Sequence, residues 1–294
     1  MRCITRLSVL CLAASVASAC KPDEVIPTEA VPTAGVRFIN AVPDSAGAQG
    51  LDFRFVDIVE DNAQFRITFR NSPNTTGGVT ASTTVQYKNA RAGAARHFRI
   101  FLDDTLQAAA STVLKDSTLN LEAGKNYTLL LWGNARSTGA DKMKLTVIEE
   151  SVADPGNNVA LRVINTTNTA IDVRQYIKGT TLPATATWAN MGPYSISNYV
   201  TSAPDTILYN VQPAGGGTAL FTPDVRALVG AAAVTVAPGP FDAIPGSTIK
   251  GSAVTLLVFP RSVAGVFGVP QGGAFNAPAA TFIWDRRPPR PPGT

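Results

Sequence analysis

The chain is short of the residues on which most enzymes and metal proteins depend. It has a single histidine, His97, and three cysteines in 294 residues. One imidazole excludes histidine pairs. A triad would also need a nucleophile and an orienting carboxylate, which the strand-like neighbours Arg96, Phe98 and Arg99 do not suggest. Cys3 and Cys11 fall within an N-terminal export signal, which leaves Cys20 for the mature chain. One thiol makes neither an intramolecular disulfide nor a Cys-rich metal site. Charged residues amount to only 16%, and 25 basic residues, less Arg2 and Arg6 of the signal, face 21 acidic ones. The body of the chain holds no basic cluster, so a nucleic-acid partner has no electrostatic support. The apolar run from Leu7 to Val16 is too short for a membrane span.

Hydrophobic residues are plentiful at 45%, and 24 Gly and 21 Pro accompany frequent Thr and Val. That balance favours short strands joined by turns over long helices. Residues 1–19 read as a lipoprotein signal peptide: Arg2 and Arg6, the apolar run, then Ala17-Ser18-Ala19 before Cys20. Cys20 is then the lipid-modified first residue, whose several acyl chains hold a membrane stably. Residues 20–35, with three prolines and no apolar periodicity, read as a tether. Lys21 stands where Asp would resemble an inner-membrane retention signal, which favours the outer membrane.

Two strand phrases organise the remainder. Val36-Arg37-Phe38-Ile39-Asn40 is echoed by Leu161-Arg162-Val163-Ile164-Asn165, and Leu51-Asp52-Phe53-Arg54 by Ile171-Asp172-Val173-Arg174. Further strands are expected at 64–70, 79–88, 97–102, 112–114, 127–132 and 143–148, separated by turn residues such as Pro43-Asp44 and Gly77-Gly78. The continuous apolar run at 127–132 suits a central, deeply packed strand. Other matches follow in order: Phe69-Arg70-Asn71 with Trp188-Ala189-Asn190, Val79 with Val200, Tyr87 with Tyr209, and Gly124–Trp132 with Gly251–Phe259. The expected fold is all-β: two tandem antiparallel β-sandwich domains of immunoglobulin-like kind, at 36–151 and 159–285. A turn-rich linker at 152–158 joins them, and a Pro/Arg-rich disordered tail covers 286–294.

The Arg-containing first strand, the Asp between apolar residues at Asp52 and Asp172, and the Gly-x-x-Tyr-Thr phrase at Gly124–Thr128 together resemble the bacterial domain of unknown function 4397 family. The second copy departs in having Val254 in place of Tyr and no Pro-Asp turn after Asn165. The resemblance implies a cell-surface β-sandwich, often tandem and often lipid-anchored, with no established activity.

Four charged residues are the candidate constellation. If the first two strands of each copy pair antiparallel, Arg37 reaches Asp52 and Arg162 reaches Asp172 as cross-strand ion pairs that set register, worth about 0.2–1 kcal/mol each. Asp57, Asp61, Asp103, Asp104 and Asp154 lie in expected loops but lack the alternation of a calcium motif, and read as solvated turn residues. Trp132, Trp188, Trp284, Tyr194 and Tyr199 are candidates for a sugar-stacking platform; the matches of Trp132 and Trp188 to apolar positions favour core packing. Gly215-Gly216-Gly217 lacks the Lys-Ser/Thr of a phosphate loop. No cofactor or metal is expected. The sequence therefore reads as a non-enzymatic, lipid-anchored envelope module whose partners are the membrane and an envelope protein or polysaccharide. A glycan-binding surface lipoprotein is the alternative, and a hydrolase comes third.

Overall fold

In the computed structural model the described residues are 30–43, 51–57, 69–71, 87–102, 111–134, 137–236, 239–261 and 277–289. They form strands and no helix. In chain order these are β1 (Thr33–Asn40), β2 (Leu51–Phe55), β3 (Phe69–Asn71), β4 (Lys88–Arg91), β5 (Ala95–Leu102), β6 (Val113–Asn120), β7 (Asn126–Trp132), β8 (Lys144–Glu149), β9 (Val159–Asn165) and β10 (Ile171–Ile177). There follow β11 (Trp188–Met191), β12 (Ser195–Ile196), β13 (Val200–Ser202), β14 (Ile207–Pro213), β15 (Val225–Arg226), β16 (Val234–Val236), β17 (Gly239–Phe241), β18 (Ala253–Phe259) and β19 (Ala279–Arg286). The signal at 1–19, Cys20, the expected strand segments 64–68 and 79–86, and the end of the tail lie outside the described residues.

Four sheets carry the architecture. Sheet 1 has the order β3-β2-β5-β6 and sheet 2 the order β4-β1-β7-β8. Sheet 3 runs β12-β9-β18-β19, with β13 also on β9, and sheet 4 runs β11-β10-β14-β15. A separate hairpin joins β16 and β17. The expectation of antiparallel sheets fails at the centre of each inner sheet, because β1 pairs with β7 and β9 with β18 in parallel. The chain leaves β1 for β2 and β3 of sheet 1, touches the edge of sheet 2 at β4, adds β5 and β6 to sheet 1, and comes back beside β1 only at β7. A return by such a crossover permits a parallel neighbour, which a hairpin does not.

Three apolar layers hold the sheets together. Val36 and Phe38 of β1 and Leu129 and Leu131 of β7 meet Phe53, Phe98 and Ile100 of sheet 1. Leu161, Val163, Leu256 and Val258 of sheet 3 meet Ile171, Val173, Tyr209 and Val211 of sheet 4. The third layer joins the inner sheets to each other: Ile39, Ala41, Leu130 and Trp132 pack with Ile164, Leu257, Phe259, Ala279 and Ile283. The sheets thus stack in the order 1-2-3-4, and the central strands of sheets 2 and 3 are buried on both faces. That accounts for the near-continuous apolar runs of β7, β9 and β18, since strands covered on both sides have no face to leave polar. The connection at 152–158 is irregular, with Gly156 at φ 62°. Through the third layer the segments on its two sides form one compact unit, Pro32–Thr294.

Candidate functional site

Strand alternation puts Arg37 on the same face of β1 as Ile39, the face that meets sheet 3. Thr128, its register partner on β7, shares that face, as do Arg162 and its partner Thr255 on sheet 3. Ile148 and Ile283, which belong to this layer, place Glu150 and Asp285 two residues further along on the same side. The result is a buried ionic layer between the inner sheets.

Its geometry is closed. Arg37 Nε donates to Thr128 Oγ1 (2.7 Å), Nη1 to the Trp284 carbonyl (2.7 Å), and Nη2 to Glu150 Oε1 (3.0 Å) and to Asp285 Oδ1. Arg162 Nε donates to Thr255 Oγ1 (2.7 Å), and its Nη2 lies 2.8 Å from both Glu150 oxygens and 3.3 Å from Asp285 Oδ1. Thr128 Oγ1 donates to Glu150 (2.6 Å), Thr255 Oγ1 to Asp285, and the Tyr199 hydroxyl to Asp285 Oδ2 (2.7 Å). Each guanidinium also lies over a tyrosine ring, Arg37 over Tyr87 at 4.6 Å and Arg162 over Tyr199 at 4.7 Å. The four charged side chains are 0–6% exposed and sum to zero charge.

The electrostatics follow from that balance. Burial alone would lower the Arg37 pKa, but Asp285 and Glu150 outweigh it and the value is raised. Arg162 is raised for the same reasons. Burial pushes Asp285 up, yet Arg162, Arg37 and the Thr255 hydroxyl bring it below its ordinary value. Tyr199 is raised, first by burial and then by the adjacent Asp285. Both arginines and Asp285 therefore stay ionised. With both guanidiniums bonded to the two carboxylates and to Thr128 and Thr255, the layer is suited to joining sheets.

The strands of the expected cross-strand pairs are not neighbours. Arg37 and Asp52 stand on strands of different sheets, β1 in sheet 2 and β2 in sheet 1, as do Arg162 and Asp172 on β9 and β10. The inner strands bury both faces, so the face carrying each arginine meets another sheet, not solvent. Of Asp52 only the backbone is described. Asp172 Oδ1 accepts the Asn190 N–H (2.6 Å) and Oδ2 the Gly215 N–H (3.0 Å). Both donors have positive φ (48° and 83°), so Asp172 satisfies the amides of two left-handed turns.

Other expected candidates are dispersed. Asp57 is clasped by Arg96, which is wholly buried, through Nε (3.0 Å to Oδ2) and Nη2 (3.1 Å to Oδ1). Asp154 pairs with Arg286 (2.7 Å), while Asp61, Asp103 and Asp104 lie outside the described residues. His97 lies at the surface against Asp116, which also pairs with Arg99 (2.8 Å). Trp132 and Trp188 are buried, Trp284 is half-buried under Arg287 and against Tyr87, and Tyr194 stands edge-on to Trp132. The planes of Trp132 and Tyr194 stand at 68° to each other. Among the described residues no group of three or more His, Cys, Asp or Glu side chains could hold a metal.

Sequence reasoning missed Glu150, Asp285 and Arg96. It also aligned Tyr87 with Tyr209. The strand pairings instead set Tyr87, just before β4, beside Tyr199, just before β13, because each lies over the arginine of the strand its own strand pairs with. The match of Gly124–Trp132 to Gly251–Phe259 agrees with the registers: Arg37 faces Thr128 as Arg162 faces Thr255, and Gly124 and Gly251 have φ of 79° and 80°.

Residues 34–176 match the family model described as a domain of unknown function (DUF4397), which supports the family expected from the sequence. The match runs from β1 into β10. It takes in Arg37, Thr128, Glu150 and Arg162, and ends before Thr255 and Asp285. No curated protein matches the chain.

Proposed function

We propose that the chain is a lipid-anchored protein of the bacterial cell envelope, held at the outer membrane through Cys20. Two tandem copies of one β-sandwich module follow the tether and act as a single rigid, non-enzymatic structural or interaction unit towards an envelope protein or polysaccharide. The observation that carries the rigid-module reading is the fate of the matching polar residues. Arg37 and Arg162, Thr128 and Thr255, Glu150 and Asp285, Tyr87 and Tyr199 all end in one buried, charge-balanced layer. Buried ionic groups of this kind cost desolvation and are best used to specify one mutual arrangement of the parts they join. Such a unit presents its outer sheets and loops at a constant spacing, as a module held off a membrane by a tether requires. The anchor is supported by the small-residue run ending at Cys20.

The anchor is tested by fractionation. Cys20→Ser is expected to move the full-length protein from the membrane to the soluble fraction and to abolish its partitioning into detergent. A variant that still fractionates with membranes overturns the anchor.

A further inference from the structure

A cleft of about 480 Å³ opens where the connection after β8 meets the β16–β17 region and the segment beyond β19. Its walls include Ala233, Ala243, Ile249 and Pro289, and Asp154 and Lys250 supply charge. The walls are fixed in place. Arg286 ties the C-terminal segment to the connection through Asp154 at 2.7 Å. Pro288 and Pro289 lie on Gly251 so closely that a Cβ there would stand 3.0 Å from Pro289 Cδ. Gly246 packs on the Val229 backbone, where a Cβ would come within 2.2 Å, and thereby closes the base of the hairpin region. The expected disordered tail is thus seated at least as far as Pro289.

The charge in this cleft is unbalanced. Asp154 is neutralised by Arg286, whereas Lys250 is exposed and in no ion pair among the described residues. Among the described residues the Lys250 ammonium therefore stands unpaired beside alanine, isoleucine and proline walls. The volume lies in the range of small-molecule sites, about 300–1,000 Å³. We propose that this cleft binds a small amphipathic monoanion, with its acidic group on Lys250 and its apolar body against Ala233, Ala243, Ile249 and Pro289. The site shares no residue with the ionic layer and does not depend on the lipid anchor.

The test uses two probes of the same shape, 1-anilinonaphthalene-8-sulfonate and its uncharged parent N-phenyl-1-naphthylamine, titrated against the full chain by fluorescence. The sulfonate is expected to bind saturably, one molecule per chain and about tenfold more tightly than the neutral parent. Lys250→Gln should erase that preference, and Ala243→Phe, which fills the cleft, should abolish binding of both probes with an unchanged circular dichroism spectrum. Exposed Val234, Phe241 and Ile244 offer a competing apolar surface nearby, so Phe241→Ser is the control. The proposal is overturned by failure of the sulfonate to bind, by unchanged affinity in Lys250→Gln, or by binding that is lost in Phe241→Ser and kept in Ala243→Phe. Lys250 is exposed, so its variant decides the matter even if Ala243→Phe does not fold.

Discussion

At one end of the layer between sheets 2 and 3, Leu130, Trp132, Ile164, Leu257 and Phe259 meet as hydrocarbon; at the other, two guanidiniums meet two carboxylates. Both ends are buried, but they do different physical work. The apolar end supplies affinity, since removal of its surface from water is favourable in almost any packing arrangement. It even tolerates a flaw, because the Trp132 indole N–H is buried there without a partner. The ionic end supplies direction. Its hydrogen bonds are met in one alignment of the sheets only, and any slip leaves a buried charge exposed to nothing.

That contrast can be broken most sharply at Glu150, which both arginines share. Glu150→Ala leaves two buried guanidiniums on the single carboxylate of Asp285 and is expected to cost about 3–5 kcal/mol. The urea unfolding midpoint measures it, and a loss under about 1 kcal/mol would show that water replaces the carboxylate and the end is not dry.

The opposite manipulation removes all the charges at once. Arg37→Met, Arg162→Met, Glu150→Leu and Asp285→Leu combined are expected to leave stability unchanged or raise it by about 1–4 kcal/mol, because no ion is then desolvated. If the ionic end sets alignment, the amide NMR spectrum of this variant should broaden or double despite its stability. A single sharp spectrum would assign the alignment to the apolar end.

Acid separates the two ends without mutation. The Asp285 pKa is lowered on folding, so its contribution is complete above the unfolded value near 3.8 and is lost as the pH falls through the lower folded value. Stability should therefore decline below about pH 4, and Asp285→Asn should flatten that limb of the pH profile. An unaltered limb would place the acid sensitivity elsewhere. The smallest effect is expected outside the layer altogether. His97 and Asp116 are 40% and 46% exposed, and solvent screens their pair, so His97→Gln should leave the unfolding midpoint unchanged within error.

The legible part of this architecture was carried by short-range pattern. The phrases at Val36 and Leu161 lie in β1 and β9, those at Leu51 and Ile171 open β2 and β10, and the run from Tyr127 lies in central strand β7. Apolar periodicity and turn residues mark these elements because both are local. The site was legible only as single letters. Arg37 and Arg162 stood out, but Asp52 and Asp172 were chosen as partners because they were close in sequence. Glu150 and Asp285 lie 113 and 248 residues from Arg37. A usable signal was present: β7 and β18 are apolar on both faces, so a charge on an equally apolar strand such as β1 or β9 must find a buried counter-charge.

By itself the sequence determined the all-β class and the position of the central strands. These depend on the alternation of side chains along a strand and on which residues favour a turn, properties that a few neighbours settle. The stacking of sheet 2 on sheet 3, the parallel central pairs, and the meeting of both arginines on Glu150 and Asp285 were decided by tertiary structure alone. A strand's pattern says that a face is covered, and it does not say by what. Only packing the two inner sheets together turned four separate charges into one neutral, closed layer.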